Sequence, residues 1–156
     1  MSPSVVRNPG PRDAYARFQE ILLGGAPEIA DELYADDVII EFPFARPGMA
    51  KRFEGRESFK AFVSAQGAAL PVRFEEFRNV VIHDTADPEV IVVEYDLAGT
   101  VTTTGQRGSQ SFLLVLRVRG GRIVHLREYQ NVLGMAAALG QLPALLASIR
   151  PESVNP

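Results

Sequence analysis

Glu128 is the residue of this chain best placed to do chemistry, because its own strand and the segment before it are built to be buried. The run Gly120–Asn131 reads as a Gly-Gly turn followed by a strand over 122–130, and the preceding Ser111–Val118 is almost wholly apolar. A two-residue turn at Gly120-Gly121 sets Glu128 opposite Leu113; a three-residue turn with a bulge at Gly121 sets it opposite Phe112. In both pairings the carboxyl faces a hydrocarbon. An anion held there is disfavoured, so its pKa rises toward the range useful for proton transfer. The competing reading is an ion pair with Arg117 or a loop arginine. Arg127 is no direct partner, since adjacent strand residues point to opposite faces.

The other polar candidates each carry two readings. Gln130, two residues along from Glu128, is either a hydrogen-bonding group at a pocket mouth or a solvated strand end. Tyr95 is either a hydroxyl donor inside a pocket or a core tyrosine with its OH at the rim. Glu94 and His125 fall on the opposite face and read as surface or interface groups, and His83, beside a turn, as solvated. Arg46, Lys51 and Arg52 make the segment 43–55 cationic, which draws a carboxylate substrate or is simply hydrated. No Gly-rich phosphate cradle follows a strand, and no Ser or Thr stands in a nucleophile elbow. With no cysteine and only His83 and His125, disulfides, thiolate sites and cysteine nucleophiles are excluded and a histidine cage is unexpected. Neither a metal nor a cofactor is expected.

The elements that must position these groups follow from periodicity. At 156 residues the chain is long enough for one domain with a sizeable core. We expect tails over 1–10 and 150–156 and a single domain over 11–149. Ala14, Tyr15, Phe18, Ile21 and Leu22 predict a helix from Pro11 to Leu23, ended by Gly24-Gly25. A short helix is expected from Pro27 to Tyr34, then a strand over 38–42. Pro43–Gly55 reads as an irregular loop suited to cover a pocket, and Glu57–Leu70 as a helix stopped by Pro71. Strands are expected at 72–83, 89–103, 108–118 and 122–130, then a helix from Leu133 to Gly140 and an apolar tail. That order indicates an α+β fold with helices on one face of a bent sheet.

Composition narrows the partners. A net charge of −3 without a basic patch lacks the footprint of a nucleic-acid binder. No apolar run approaches the ~20 residues of a membrane span, and the polar N-terminus has no signal-peptide core, so a cytoplasmic location is expected. Apolar residues on both faces of 108–118 and 122–130 predict a homodimer through the outer face, with Leu113, Val115, Ile123, His125 and Tyr129 at the interface.

The element order resembles the nuclear transport factor 2-like superfamily over roughly residues 12–140, which implies a cone-shaped (cystatin-like) α+β fold. Leu33–Pro43 is similar to the early strand of ketosteroid isomerases, and Phe53-Glu54-Gly55-Arg56-Glu57 resembles a loop of SnoaL-like polyketide cyclases. Asp84–Pro88 leading to Val93-Glu94, and Arg127–Val132 leading to Ala138-Leu139-Gly140, resemble the phenazine-biosynthesis A/B proteins. The resemblance favours the bulged hairpin and implies a concave face bearing Phe112, Leu114, Leu116, Val124, Leu126, Glu128 and Gln130. Tyr15 and Tyr34 would lie on helices capping the cone.

Matching the families residue by residue removes more than it adds. The isomerase base falls on Phe42 and its two oxyanion donors on Phe18 and Leu114, all apolar here. Steroid isomerisation by that route is not expected. Limonene-type epoxide hydrolases need two carboxylates and an arginine, and only Glu128 matches; the expected strand positions read Tyr95 and Leu97. In the phenazine A/B proteins the acid on the last strand matches Glu128, but their helix histidine has no counterpart among Phe62, Val63 and Ser64. What the resemblance implies is a cofactor-free isomerase, cyclase, dehydratase or condensation enzyme acting on an apolar cyclic ligand. Glu128 would be its catalytic acid, within walls formed by Phe18, Phe42, Tyr95, Phe112, Leu114, Leu116, Leu126 and Gln130. The rival is a non-catalytic carrier or sensor of a hydrophobic ligand, because one carboxylate remains and no second base is evident.

Overall fold

The computed structural model describes residues 8–24, 31–67 and 70–150. Pro11 opens α1 (Pro11–Leu23) where its missing N–H costs nothing, and Asp13 Oδ2 accepts the Gly10 N–H at 2.8 Å. The helix buries Ala14, Tyr15 and Phe18 on one face, as its spacing predicts. Of the helix expected from Pro27 to Tyr34, residues 27–30 lie outside the described residues. Its end is corrected: residues 31–33 form a turn and Tyr34 begins a strand.

Six strands form one sheet: β1 (Tyr34–Glu41), β2 (Arg52–Glu54), β3 (Val72–Asp84), β4 (Val90–Val101), β5 (Arg107–Arg119) and β6 (Arg122–Gln130). Their spatial order is β2-β1-β6-β5-β4-β3. β1 and β6 run parallel and every other neighbouring pair is antiparallel. The expected meander over 72–131 is therefore present, and the early strand returns beside its last member. β2 lies within the 43–55 segment expected as loop. It is three residues long, too short for an alternating pattern to show, and exists through pairing with Ile39–Glu41.

α2 (Arg56–Gly67) packs on β1 and β2, and α1 on β3 to β6. α3 (Val132–Ala138) starts at Asn131, whose Oδ1 accepts the Gly134 N–H at 2.9 Å, and packs on β5. The segment expected as an apolar tail forms α4 (Leu142–Ser148), which buries Leu145. This is the expected α+β architecture, with helices on a curved sheet. No helix among the described residues is long and apolar enough to cross a membrane.

The β5–β6 hairpin departs from both expected pairings. Gly120 and Gly121 have φ of 60° and 78°, the positive pair that a tight two-residue turn requires, and Arg119 pairs with Arg122. Val118 then pairs with Ile123 but Arg117 with His125, so Val124 is the extra residue of a bulge within β6. Beyond it Glu128 stands opposite Leu114, rather than Leu113 or Phe112. The pairing is two residues away from the bulged expectation, so the side chains keep the same faces. The bulge reverses one neighbour pair. Ile123 is wholly buried in the core, whereas Val124, expected there, is only half-buried. Ile123 is thereby removed from the outer face.

Candidate functional site

β6 carries Glu128 and Gln130 two residues apart on the concave face, opposite Leu114 and Phe112 of β5. Above them the helices leave a cavity of about 320 Å³, at the small end of ligand sites. Its walls are mostly hydrocarbon and aromatic. Glu128 and Arg46 are the ionisable groups of opposite charge that line it, with Tyr34, Tyr95, Gln66 and Gln130 as further polar groups.

Glu128 is half-buried, and the surface it retains opens onto this cavity. Burial raises its pKa above the usual carboxylate range. The one opposing contact is the Gln130 Nε2–H, which donates to Oε1 at 2.6 Å. No cation among the described residues pairs with it, so the expected alternative of an ion pair with Arg117 does not form; Arg117 binds Asp87 at 2.9 Å instead. The acid form is the one this environment favours.

Two tyrosines share the site. Tyr34 is held by Arg56, whose Nη1 donates to the Tyr34 and Asp31 carbonyls at 3.0 Å each. Tyr95, on β4, stacks on Phe112 with ring centroids 5.3 Å apart. Burial first, and then the nearby Glu128 charge, push both phenols above their ordinary pKa. They stay protonated and able to donate. Tyr15, expected with Tyr34 as a capping residue, is instead 1 % exposed in the core, where its hydroxyl has no partner among the described residues.

The other expected site residues divide. Phe18, Phe42, Tyr95, Phe112 and Gln130 line the cavity with Glu128. Leu114, Leu116 and Leu126 do not; they are buried beneath it, in the core that supports Glu128 from below. A strand face long enough to hold seven residues outruns a cavity of this size, so part of it becomes ordinary core. Phe62 and Val63, where the phenazine proteins resembled above carry histidine, form wall. Val132, Met135 and Leu139 close another side; their helical spacing was a usable signal, but only the folded chain brings them over the sheet.

The outer face holds the remaining candidates. His125 Nε2 lies 2.5 Å from Glu41 Oε1, and this contact, with Arg127 and Arg52 nearby, holds the Glu41 carboxyl below its usual range. His83, expected to be solvated, is exposed and hydrogen-bonded to Glu94 at 2.7 Å. Neither pair reaches the cavity.

Comparison with known proteins agrees with this fold. The family model of the SnoaL-like domain matches residues 15–126. A PhzA/B-like protein of Pseudomonas aeruginosa, itself uncharacterised, is 36% identical over 113 residues, covering 72% of this chain and 78% of that one. The crystal structure of a Bacillus subtilis protein provisionally named an isomerase superposes with a TM-score of 0.76 at 27% identity, covering 84% of this chain and 93% of that one. IdmH of Streptomyces antibioticus, provisionally named a polyketide cyclase, superposes with a TM-score of 0.65 at 25% identity, covering 83% of this chain and 98% of that one. With its matched domain, its sheet order and its helix-roofed cavity, the chain belongs to the SnoaL-like domain family.

Proposed function

We propose that this protein is a small-molecule enzyme of the isomerase, cyclase, dehydratase or condensation type, working by general acid–base catalysis without a cofactor. The observation that carries the proposal is the placement of Glu128: a carboxyl with a raised pKa, no cationic partner among the described residues, and a free face on an apolar cavity. Such an acid donates its proton to a carbonyl oxygen or imine nitrogen of the ligand. Tyr34 and Tyr95 line the same cavity, and their neutral hydroxyls are suited to share the charge that develops there. The carboxylate left on Glu128 then accepts a proton from the carbon next to the polarised group, so the acid is regenerated and a double bond has moved. General acid–base catalysis of this kind contributes typically ~10²–10⁴-fold. The names of the structural neighbours, an isomerase and a polyketide cyclase, support the same class of chemistry.

A carrier of a hydrophobic ligand is the second reading, favoured by one observation: among the described residues, Glu128 is the sole carboxylate lining the cavity. Native mass spectrometry of the purified protein identifies a retained small molecule, which then serves as the probe for Glu128→Gln. The enzyme reading expects turnover to be lost while the ligand still binds. Unchanged conversion in the variant removes Glu128 from the chemistry, and no conversion by the wild type replaces the enzyme with the carrier. We further propose a homodimer through the outer sheet face, where Leu113, Val115 and Tyr129 are half-buried in the single chain.

A further inference from the structure

Arg46 is a cation at the wall of an apolar cavity with no counter-charge among the described residues. It lies on the loop between β1 and β2, and its backbone is tied into a turn by the Met49 N–H, which donates to the Arg46 carbonyl at 3.0 Å. Its side chain is half-buried and crosses to the C-terminal helices, where Nη1 donates to Gln141 Oε1 at 2.7 Å. That neutral acceptor fixes the guanidinium without neutralising it. Other arginines of the chain behave differently: Arg52, Arg56, Arg117 and Arg119 each lie within 4 Å of a carboxylate. Glu128 lines the same cavity but forms no ion pair with Arg46, its side-chain contact being Gln130.

A positive charge drawn from water toward hydrocarbon walls and given no anion is costly unless something else brings the anion. Arginine's planar fork matches a carboxylate with two parallel hydrogen bonds, and one of its faces is already committed to Gln141. We propose that the ligand of this cavity is a carboxylic acid whose carboxylate pairs with Arg46, while its apolar body fills the aromatic chamber and its reacting carbonyl or imine reaches Glu128. A phosphate dianion is a poorer match, because Arg46 is the only cation among the described residues that lines the cavity. This rests on the acid–base reading for the reacting end, but the anchor itself needs no turnover.

The test uses two probes of nearly equal shape, 1-naphthoate and the neutral 1-naphthamide, with binding followed by calorimetry or ligand-detected NMR. Wild-type protein is expected to bind the acid about tenfold or more tighter than the amide, the scale of one charge-assisted pair. Arg46→Met should abolish that preference by weakening the acid alone. Gln141→Met removes the same internal hydrogen bond but keeps the cation, so it separates charge recognition from loss of structure and should retain a preference for the acid. Glu128→Gln should leave the preference intact, which separates failure of the anchor from failure of the catalytic reading. Equal binding of acid and amide, no measurable binding of the acid, or a preference that survives Arg46→Met each overturns the proposal.

Discussion

Replacing Glu128 by glutamine removes the titration and keeps the shape, which makes stability against pH a direct probe of the site. An unfolded glutamate titrates near ~4.3. Below that value Glu128 is protonated in both states and the group costs folding nothing. Between the unfolded pKa and the raised folded pKa, folding must hold back ionisation, and stability falls by about 1.4 kcal/mol per pH unit. Above the folded pKa the loss levels off. For a chain of this length that slope corresponds to roughly 3–5 °C in Tm per pH unit. Several carboxyls held below their usual range, among them Glu41, Asp87 and Glu89, destabilise the protein as pH falls and would mask the effect in the wild type alone. They cancel in the difference between variant and wild type. The Gln130 contact survives in part, since an amide oxygen accepts the same N–H. The expected result is that Glu128→Gln and wild type melt close together near about pH 4, and that the variant becomes progressively the more stable as pH rises. Parallel curves, or a variant less stable at about pH 8, would refute the argument that burial dominates this carboxyl. A carbon-13 titration showing an ordinary carboxyl pKa would do the same.

Three further outcomes are expected. Ile123→Ala should cost about 2–5 kcal/mol in chemical denaturation, because Ile123 is fully buried, whereas Val124→Ala should cost clearly less; similar costs would contradict the β6 bulge. The wild type should sediment as a homodimer at micromolar concentration and Val115→Arg should dissociate it, while a monomeric wild type rejects the outer-face interface. The protein should not convert β,γ-unsaturated ketosteroids to the conjugated enone in a direct absorbance assay, since Phe18 and Phe42 in the wall and Leu114 beneath it can neither take nor stabilise a proton.

Much of the architecture was legible in the residues because it is set locally. The 3.6-residue spacing from Ala14 to Leu22, opened by Pro11, defines α1 to the residue, and Gly120-Gly121 marks a turn whose positive φ values only glycine adopts without strain. Alternation over 122–130 puts Leu126, Glu128 and Gln130 on one face, and the structure keeps them there. Tertiary structure alone decided the rest. The Val124 bulge, the parallel pairing of β1 with β6 and the short β2 depend on partners distant in the chain, and a local pattern cannot choose among registers of similar hydrophobicity. The same holds for the site. The sequence alone determined that a carboxyl would sit among apolar residues at position 128, because its neighbours on that face of β5 and β6 are hydrocarbon or amide. Which hydrocarbons become wall and which become core, and that Arg46 faces the same chamber, were decided by where the helices and the 43–51 loop close over the sheet, since a cavity is whatever volume that packing leaves unfilled.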